Sequence, residues 1–162
     1  MRLFLLREKR RSRIAGKIVE QYGFDKVAQI TAGGKERYES VYRGLKYVEE
    51  GIVFIHDGAR PFVDEQMLER AYECVLGDQA CVVGMPVKDT IKIADQEQYA
   101  VRTPDRAYVW QVQTPQVFDV ELVRGAYEKM MQSGWEKATD DAMVVEKMTA
   151  HPVRLVLGSY EN

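Results

Sequence analysis

Two cysteines, Cys74 and Cys81, are all that the 162 residues contain. They stand too far apart for a CxxC redox or zinc pattern and are too few for a disulfide framework, which excludes small stapled secreted folds and suits a reducing cytoplasm. Histidine is equally scarce. His56 and His151 cannot supply the several ligands of a metal phosphohydrolase, to which a His-Asp doublet would otherwise point. No serine occupies a G-x-S-x-G elbow, so a hydrolase of that kind is unsupported. Charge of one sign is also missing. Lys and Arg number 23 against 25 Asp and Glu, a net charge of −2, which excludes a nucleic-acid binder held by a phosphate-tracking basic surface. The run Leu3 to Leu6 is far too short for a signal sequence or a membrane span. Its neighbours Arg2, Arg7, Lys9, Arg10, Arg11 and Arg13 read as the solvated face of a helix that follows a buried strand.

With 46% hydrophobic and 30% charged residues, the chain is an ordinary globular sequence, long enough for one core. No repeat, low-complexity tract or Pro/Gly/Ser linker divides it, so residues 1–162 read as one domain. Periodicity predicts a helix over Lys9 to Tyr22, with Ile14, Ile18 and Tyr22 on one stripe, and a strand over Val27 to Thr31. A second helix, Arg37 to Glu50, places Tyr38, Val41, Leu45 and Val48 on one face. Ile52 to Ile55 is an apolar run suited to a strand covered on both faces. Asp64 caps a helix that closes at Gly77, and the strand Ala80 to Val83 follows. Ile91 to Ala94 and Tyr99 to Arg102 flank a polar turn and read as an antiparallel hairpin. Then come a strand over Tyr108 to Gln113, a helix over Asp119 to Gln132, a helix opened by Thr139-Asp140-Asp141, and a strand over Val153 to Leu157. Such alternation predicts an α/β fold with a mostly parallel sheet and helices on both faces.

In open α/β sheets, ligands bind beyond the carboxyl ends of the strands. Three strand ends there carry chemistry: Gly33-Gly34-Lys35-Glu36-Arg37, His56-Asp57-Gly58-Ala59-Arg60-Pro61, and Pro86-Val87-Lys88-Asp89-Thr90. Paired glycines admit a ligand close to the backbone, and the helix start near Arg37 offers N–H groups to an anion, although a plain turn into a helix has the same look. Asp57 follows its strand directly and is placed to hold Mg²⁺, which takes one or two carboxylates together with phosphate oxygens; a turn-forming aspartate is the bland alternative. Thr90, Thr114 and Thr139 stand at turns or helix starts, where a hydroxyl caps a helix or meets a phosphate. Arg106 is a candidate guanidinium fork for phosphate, or a solvated surface residue. Ser40 reads as a helix-start residue facing the glycine loop.

The segments GGKERYESVYRGL (Gly33 to Leu45), HDGARPFV (His56 to Val63), PVKDTIK (Pro86 to Lys92), VWQVQTPQVF (Val109 to Phe118) and ATDDAMVVE (Ala138 to Glu146), in this order and spacing, resemble the 2-C-methyl-D-erythritol 4-phosphate cytidylyltransferase family. The resemblance implies a three-layer Rossmann-like nucleotidyltransferase fold with a projecting β-hairpin arm over about residues 88–108. It implies transfer of a cytidylyl group from CTP to methylerythritol phosphate, with release of pyrophosphate and Mg²⁺ as cofactor. By similarity, Gly33, Gly34, Arg37, Ser40, Asp57, Gly58 and Ala59 attend CTP, and Asp57 also binds the metal and touches substrate. Arg60, Thr90, Thr114, Thr139 and Asp140 surround the sugar phosphate. Arg106 resembles the family's substrate-positioning arginine, supplied across a homodimer by the arm.

The chain departs from the family pattern at both ends. Nothing before Gly33 matches the family's glycine-rich nucleotide loop with its arginine and lysine. Leu3 to Leu6 corresponds either to the second-strand region or to the short segment after that loop, joined across a gap. At the far end the family continues past Glu-Asn into a lysine-bearing segment, whereas Glu161-Asn162 are the last residues here. The residues as written are therefore expected to be a domain incomplete at both ends, inactive and poorly folded alone. The alternatives are a ribitol 5-phosphate cytidylyltransferase and a non-catalytic fragment of the fold.

Overall fold

The computed structural model describes residues 3–7, 9–135 and 137–162. It forms two compact units, Met1–Val53 with Val120–Ala150, and Phe54–Asp119 with His151–Asn162. The reading of Arg2 and its basic neighbours up to Arg11 as a solvated face lies outside the described side chains; Arg13 is exposed.

In the first unit, β1 (Leu3–Arg7), α1 (Lys9–Tyr22) and β2 (Val27–Ala32) follow one another, and β1 pairs parallel with β2. Parallel partners need a crossover of this kind, which α1 supplies. The stripe Ile14, Ile18 and Tyr22 is present on α1 but exposed. Tyr22 stacks instead on Phe24 of the following turn, with ring centroids 5.9 Å apart. α2 (Arg37–Leu45) buries Val41 and Leu45, but it stops five residues before the predicted Glu50. Past Leu45 the amides reach three residues back instead of four, Tyr47 N to Gly44 O and Val48 N to Leu45 O, a tightened last turn. Arg124 Nη2 then donates to the otherwise orphaned carbonyls of Val48 and Glu49. α4 (Val120–Ser133) and α5 (Asp141–Thr149) pack together. Val123, Ala126, Tyr127 and Met130 of α4 and Ala142, Val144 and Val145 of α5 are buried. Asp140, not Thr139, is the N-cap of α5, and its side chain accepts from Met143 N at 2.8 Å.

The second unit contains the sheet β3-β7-β4-β8, with the division between units falling inside β3 (Ile52–Ile55). β4 (Ala80–Pro86) is buried from Ala80 to Gly84, as its continuous apolar run requires. It pairs parallel with β8 (Arg154–Leu157) and antiparallel with β7 (Trp110–Asp119). β7 reaches six residues beyond the predicted end at Gln113 and includes a cis Thr114–Pro115 bond. β3 is only half-buried along its length, because it lies at the edge of this sheet rather than inside it. α3 (Glu65–Asp78) is capped as expected by Asp64, which accepts from Met67 N at 2.7 Å. It buries Met67, Ala71 and Val75, and runs through Gly77 to end at Gln79 in the left-handed region. β5 (Ile93–Ala94) and β6 (Ala100–Arg102) form the predicted hairpin. Asp95 closes its turn by accepting from Glu97 N and Tyr99 N.

Candidate functional site

In the first unit the glycine loop lies between β2 and α2, and its backbone is held by side chains of the helix it opens. Gly34 N donates to Ser40 Oγ at 2.8 Å, and Ser40 Oγ donates to Glu36 O at 3.2 Å, so Ser40 does face the loop. Lys35 N donates to Glu39 Oε2 at 2.6 Å, and Arg43 Nη1 donates to Gly33 O at 2.6 Å. A Cβ on Gly34 would fall 2.2 Å from Glu39 Cβ, so glycine is required here by close packing. Glu36 occupies the N-cap of α2 without a side-chain bond to the helix.

Arg37 sets Nη1 and Nη2 on Asp141 Oδ1 and Oδ2 at 2.9 and 2.8 Å, a bidentate pair between residues 104 apart in sequence. Asp141 is wholly buried, and the Arg37 side chain is 35% exposed. Tyr127 Oη donates to Asp141 Oδ1 at 2.5 Å. Burial first, and the Asp141 charge second, push the Tyr127 hydroxyl far above its ordinary range. The ion pair therefore brings together the starts of α2 and α5, the ends of two predicted site segments. Thr139 has its hydroxyl 3.8 Å from Met143 Sδ. Burial, then the Asp140 charge, raise the Glu146 carboxyl. The two motifs named Arg37 and Asp140, but Asp141 read only as part of a helix start and Tyr127 was not singled out. Contact over this sequence separation left no local signal.

In the second unit the turn after β3 is fastened at several points. Asp57 N donates to Thr114 Oγ1 at 3.0 Å, and Thr114 Oγ1 lies 3.1 Å from His56 Nδ1. His56 Nε2 is 2.8 Å from Arg60 O, and Arg60 N donates to Asp57 O at 3.0 Å. Arg60 Nη1 donates to Asn162 O at 2.9 Å, while Asn162 Nδ2 donates to Thr114 O at 2.9 Å. Gln113 Nε2 adds bonds to Ser159 O and Asn162 O. Asp57, Arg60 and Thr114 are thus brought together, and His56, Gln113 and Asn162 join them without having been predicted. Gly58 has open space where a Cβ would stand; Ala59 beside it is exposed. Thr90 and Arg106 are exposed, and Arg106 Nη1 donates to Lys88 O at 3.2 Å. Lys88 Nζ in turn sits 3.6 Å from the Tyr160 ring centroid.

Among the described residues no cluster of three or more His, Cys, Asp or Glu could hold a metal ion. One half-buried carboxylate, Asp57, fits Mg²⁺ only in the company of substrate phosphate oxygens, which is the usual way that ion is bound beside a nucleotide. No helix among the described residues is long and apolar enough to cross a membrane.

Parallel β-α-β pairing, strand-end loops rich in glycine and a fastened Asp-Gly-Ala-Arg turn define a Rossmann-like α/β protein of the nucleotidyltransferase type. The family model for 2-C-methyl-D-erythritol 4-phosphate cytidylyltransferase matches residues 5–162, and the chain belongs to that family. It is 46% identical over 141 residues to the enzyme of that name from Lachnospira eligens, covering 86% of this chain and 62% of the relative. It is 44% identical over 147 residues to the one from Caldanaerobacter subterraneus, covering 90% and 64%. The chain thus spans under two thirds of the length of these curated relatives. The crystal structure of 4-diphosphocytidyl-2C-methyl-D-erythritol synthase from Anaerococcus prevotii superposes with a TM-score of 0.90 at 33% identity, over 99% of this chain and 74% of that one.

Proposed function

We propose that this protein transfers a cytidylyl group from CTP to 2-C-methyl-D-erythritol 4-phosphate, giving 4-diphosphocytidyl-2-C-methyl-D-erythritol and pyrophosphate for isoprenoid synthesis. A phosphate oxygen of the acceptor attacks the α-phosphorus of CTP. The new P–O bond forms as the bond to the pyrophosphate oxygen breaks, and both electrons of that bond leave with pyrophosphate. The observation that carries this reading is the family match over residues 5–162. Such transfer asks the protein mainly to place reactants and to meet phosphate charge.

On this reading Gly33, Gly34 and Ser40 line the cytidine, with Gly58 and Ala59 also on the nucleotide and Arg37 behind the glycine loop. Asp57 would hold Mg²⁺, which when bound neutralises phosphate charge. Arg60, Thr90, Arg106 and Thr139 meet the sugar phosphate, and Asp140 sets the start of α5 beside Thr139. The arm supports a homodimer, because Tyr99 and Val101 in the hairpin and Tyr108 in the turn after it expose apolar surface, and Arg106 opens that turn. A cytoplasmic setting suits two free thiols.

The test is ³¹P NMR of the protein incubated with CTP, Mg²⁺ and methylerythritol phosphate, with ribitol 5-phosphate as the competing acceptor. If the residues present suffice, a CDP-alcohol and pyrophosphate form from the first acceptor and not from the second, which overturns the expectation that they are inactive alone. Faster reaction with ribitol 5-phosphate would overturn the acceptor assignment, and no product with either acceptor would leave the non-catalytic fragment.

A further inference from the structure

We infer that His56 and Thr114 are positioning residues that lock the Asp57–Arg60 turn through one chain of hydrogen bonds. The inference rests on the cytidylyl-transfer reading for its kinetic consequence, but on hydrogen-bond chemistry for its geometry. A carbonyl oxygen only accepts, so the 2.8 Å approach of His56 Nε2 to Arg60 O puts the ring proton on Nε2. In the neutral ring Nδ1 is then an acceptor, and Thr114 Oγ1, 3.1 Å away, must be its donor. The hydroxyl also carries two acceptor lone pairs, and Asp57 N–H takes one of them at 3.0 Å.

The bonds form one directed chain, from Asp57 N–H to the Thr114 hydroxyl, to the His56 ring, to Arg60 C=O. It begins and ends on the same turn, whose own Arg60 N–H to Asp57 O bond closes it from the inside. Thr114 is 4% exposed, and Asn162 Nδ2 holds its carbonyl. Its hydroxyl is therefore buried, with its one proton committed to His56. Asp57 and Arg60, the two charged groups of the turn, are set relative to one another by this chain, and misplacing reacting groups by about an ångström costs on the order of a hundredfold in rate.

Two measurements on the whole protein test the lock. The first is the long-range ¹H–¹⁵N spectrum of the substrate-free protein, in which His56 is one of only two histidines. A ring protonated at Nε2 is expected, with its Nδ1 signal moved by Thr114→Val and restored by Thr114→Ser. A ring protonated at Nδ1, or a signal indifferent to Thr114→Val, overturns the lock whatever the enzyme does. The second is steady-state kinetics. Thr114→Val and His56→Phe should each raise KM for methylerythritol phosphate about tenfold, with KM for CTP rising as well because Gly58 and Ala59 ride on the same turn, and the double variant should be no worse than either alone, since both break one device. Thr114→Ser should stay near wild type. A direct substrate contact predicts instead that His56→Phe is kinetically silent, and that result overturns the inference. If the wild-type protein forms no CDP-alcohol, the functional reading fails while the spectrum still decides the lock; if the valine variant does not fold, the wild-type tautomer decides it.

Discussion

Replacing Asp141 by alanine removes, among its bonds, two to Arg37 and one to Tyr127. Truncating one member of a buried ion pair costs about 3–5 kcal/mol because the other charge is left unpaired. The Arg37 side chain is 35% exposed, so its guanidinium can turn toward water and escape most of that penalty. The Tyr127 hydroxyl cannot, being wholly buried, and a stranded buried donor costs about 1–3 kcal/mol. Both terms together place Asp141→Ala at about 3 kcal/mol. Asp141→Asn keeps an acceptor for Tyr127 and loses the charge, for about 2 kcal/mol, the range of a hydrogen bond to an ionised group. Tyr127→Phe strands no donor and leaves Asp141 with both guanidinium bonds, for about 1.5 kcal/mol. The assay is urea unfolding followed by tryptophan fluorescence. One tryptophan lies in each unit, Trp135 in the first and Trp110 in the second, so a Trp110→Phe background reports the unit that contains Asp141. The midpoint should fall with the slope m unchanged. A loss below about 1 kcal/mol for Asp141→Ala, far under the buried-pair range, would refute this account, as would a larger loss for Tyr127→Phe than for Asp141→Ala.

The two glycines predicted at the nucleotide should separate stability from binding. Gly34→Ala forces a Cβ within 2.2 Å of Glu39 and should cost about 1–3 kcal/mol, as overpacking does; Gly58→Ala meets nothing within 4 Å, so its Tm should stay at the wild-type value while calorimetry shows weaker CTP binding. Unchanged CTP affinity in Gly58→Ala would remove that residue from the nucleotide. The protein should also weaken in alkali. Burial pushes the Cys81 thiol up to about 12 from 9.0, so above pH 9 the unfolded chain has released a proton that the native one keeps, and stability, complete below that pH, falls by about 1.4 kcal/mol per pH unit. Denaturation at pH 9 and 10 should show a shallower fall in Cys81→Ala, and an equal slope would place the sensitivity elsewhere, Cys74 being raised in the same direction. Deleting the hairpin residues 93–102 should abolish cytidylyl transfer and leave a monomer by light scattering; full activity in that monomer would end the proposal that the arm completes the site.

Element types were legible wherever a segment carried its own signal. The buried run Ala80 to Val83, the Asp64 cap and the Asp95 turn of the hairpin needed only neighbours within four residues. Errors arose at element ends. α2 gives way at Leu45 to a turn with bonds three residues back, and the carbonyls beyond it are held by Arg124, 76 residues from Val48, a partner that no local pattern announces. α3 passes through Gly77 because the left-handed residue that stops it is Gln79, a position where glycine is the usual expectation. The candidate site divides in the same way. Strand-end position and residue type singled out Asp57, Arg60 and Gly34, whereas Asp141, His56 and Asn162 matter through bonds spanning the chain. His56 was set aside as a metal ligand for want of companions, and its bond to Arg60 O, only four residues on, was the one local clue to another use.

The bonds sort the candidates by what each still has to give. Thr114 has its hydroxyl enclosed between His56 and Asp57, and Arg37 has both Nη groups on Asp141. Arg60 commits Nη1 to Asn162 O, and a guanidinium carries five N–H donors, so a phosphate can be met without breaking that bond. Gly58 offers open space at its Cβ position. A transfer that depends on placing phosphates gains from donors that are already aimed and do not have to reorganise as charge moves. Residues that hold the aim must then be fully engaged before any ligand arrives, whereas residues that meet the ligand must keep a donor or a space. Thr114, with its one proton on His56, meets the first condition, and Arg60 and Gly58 meet the second. A strand-end motif therefore mixes two kinds of residue that sequence position alone cannot tell apart, and the hydrogen-bond count of each side chain is what distinguishes them.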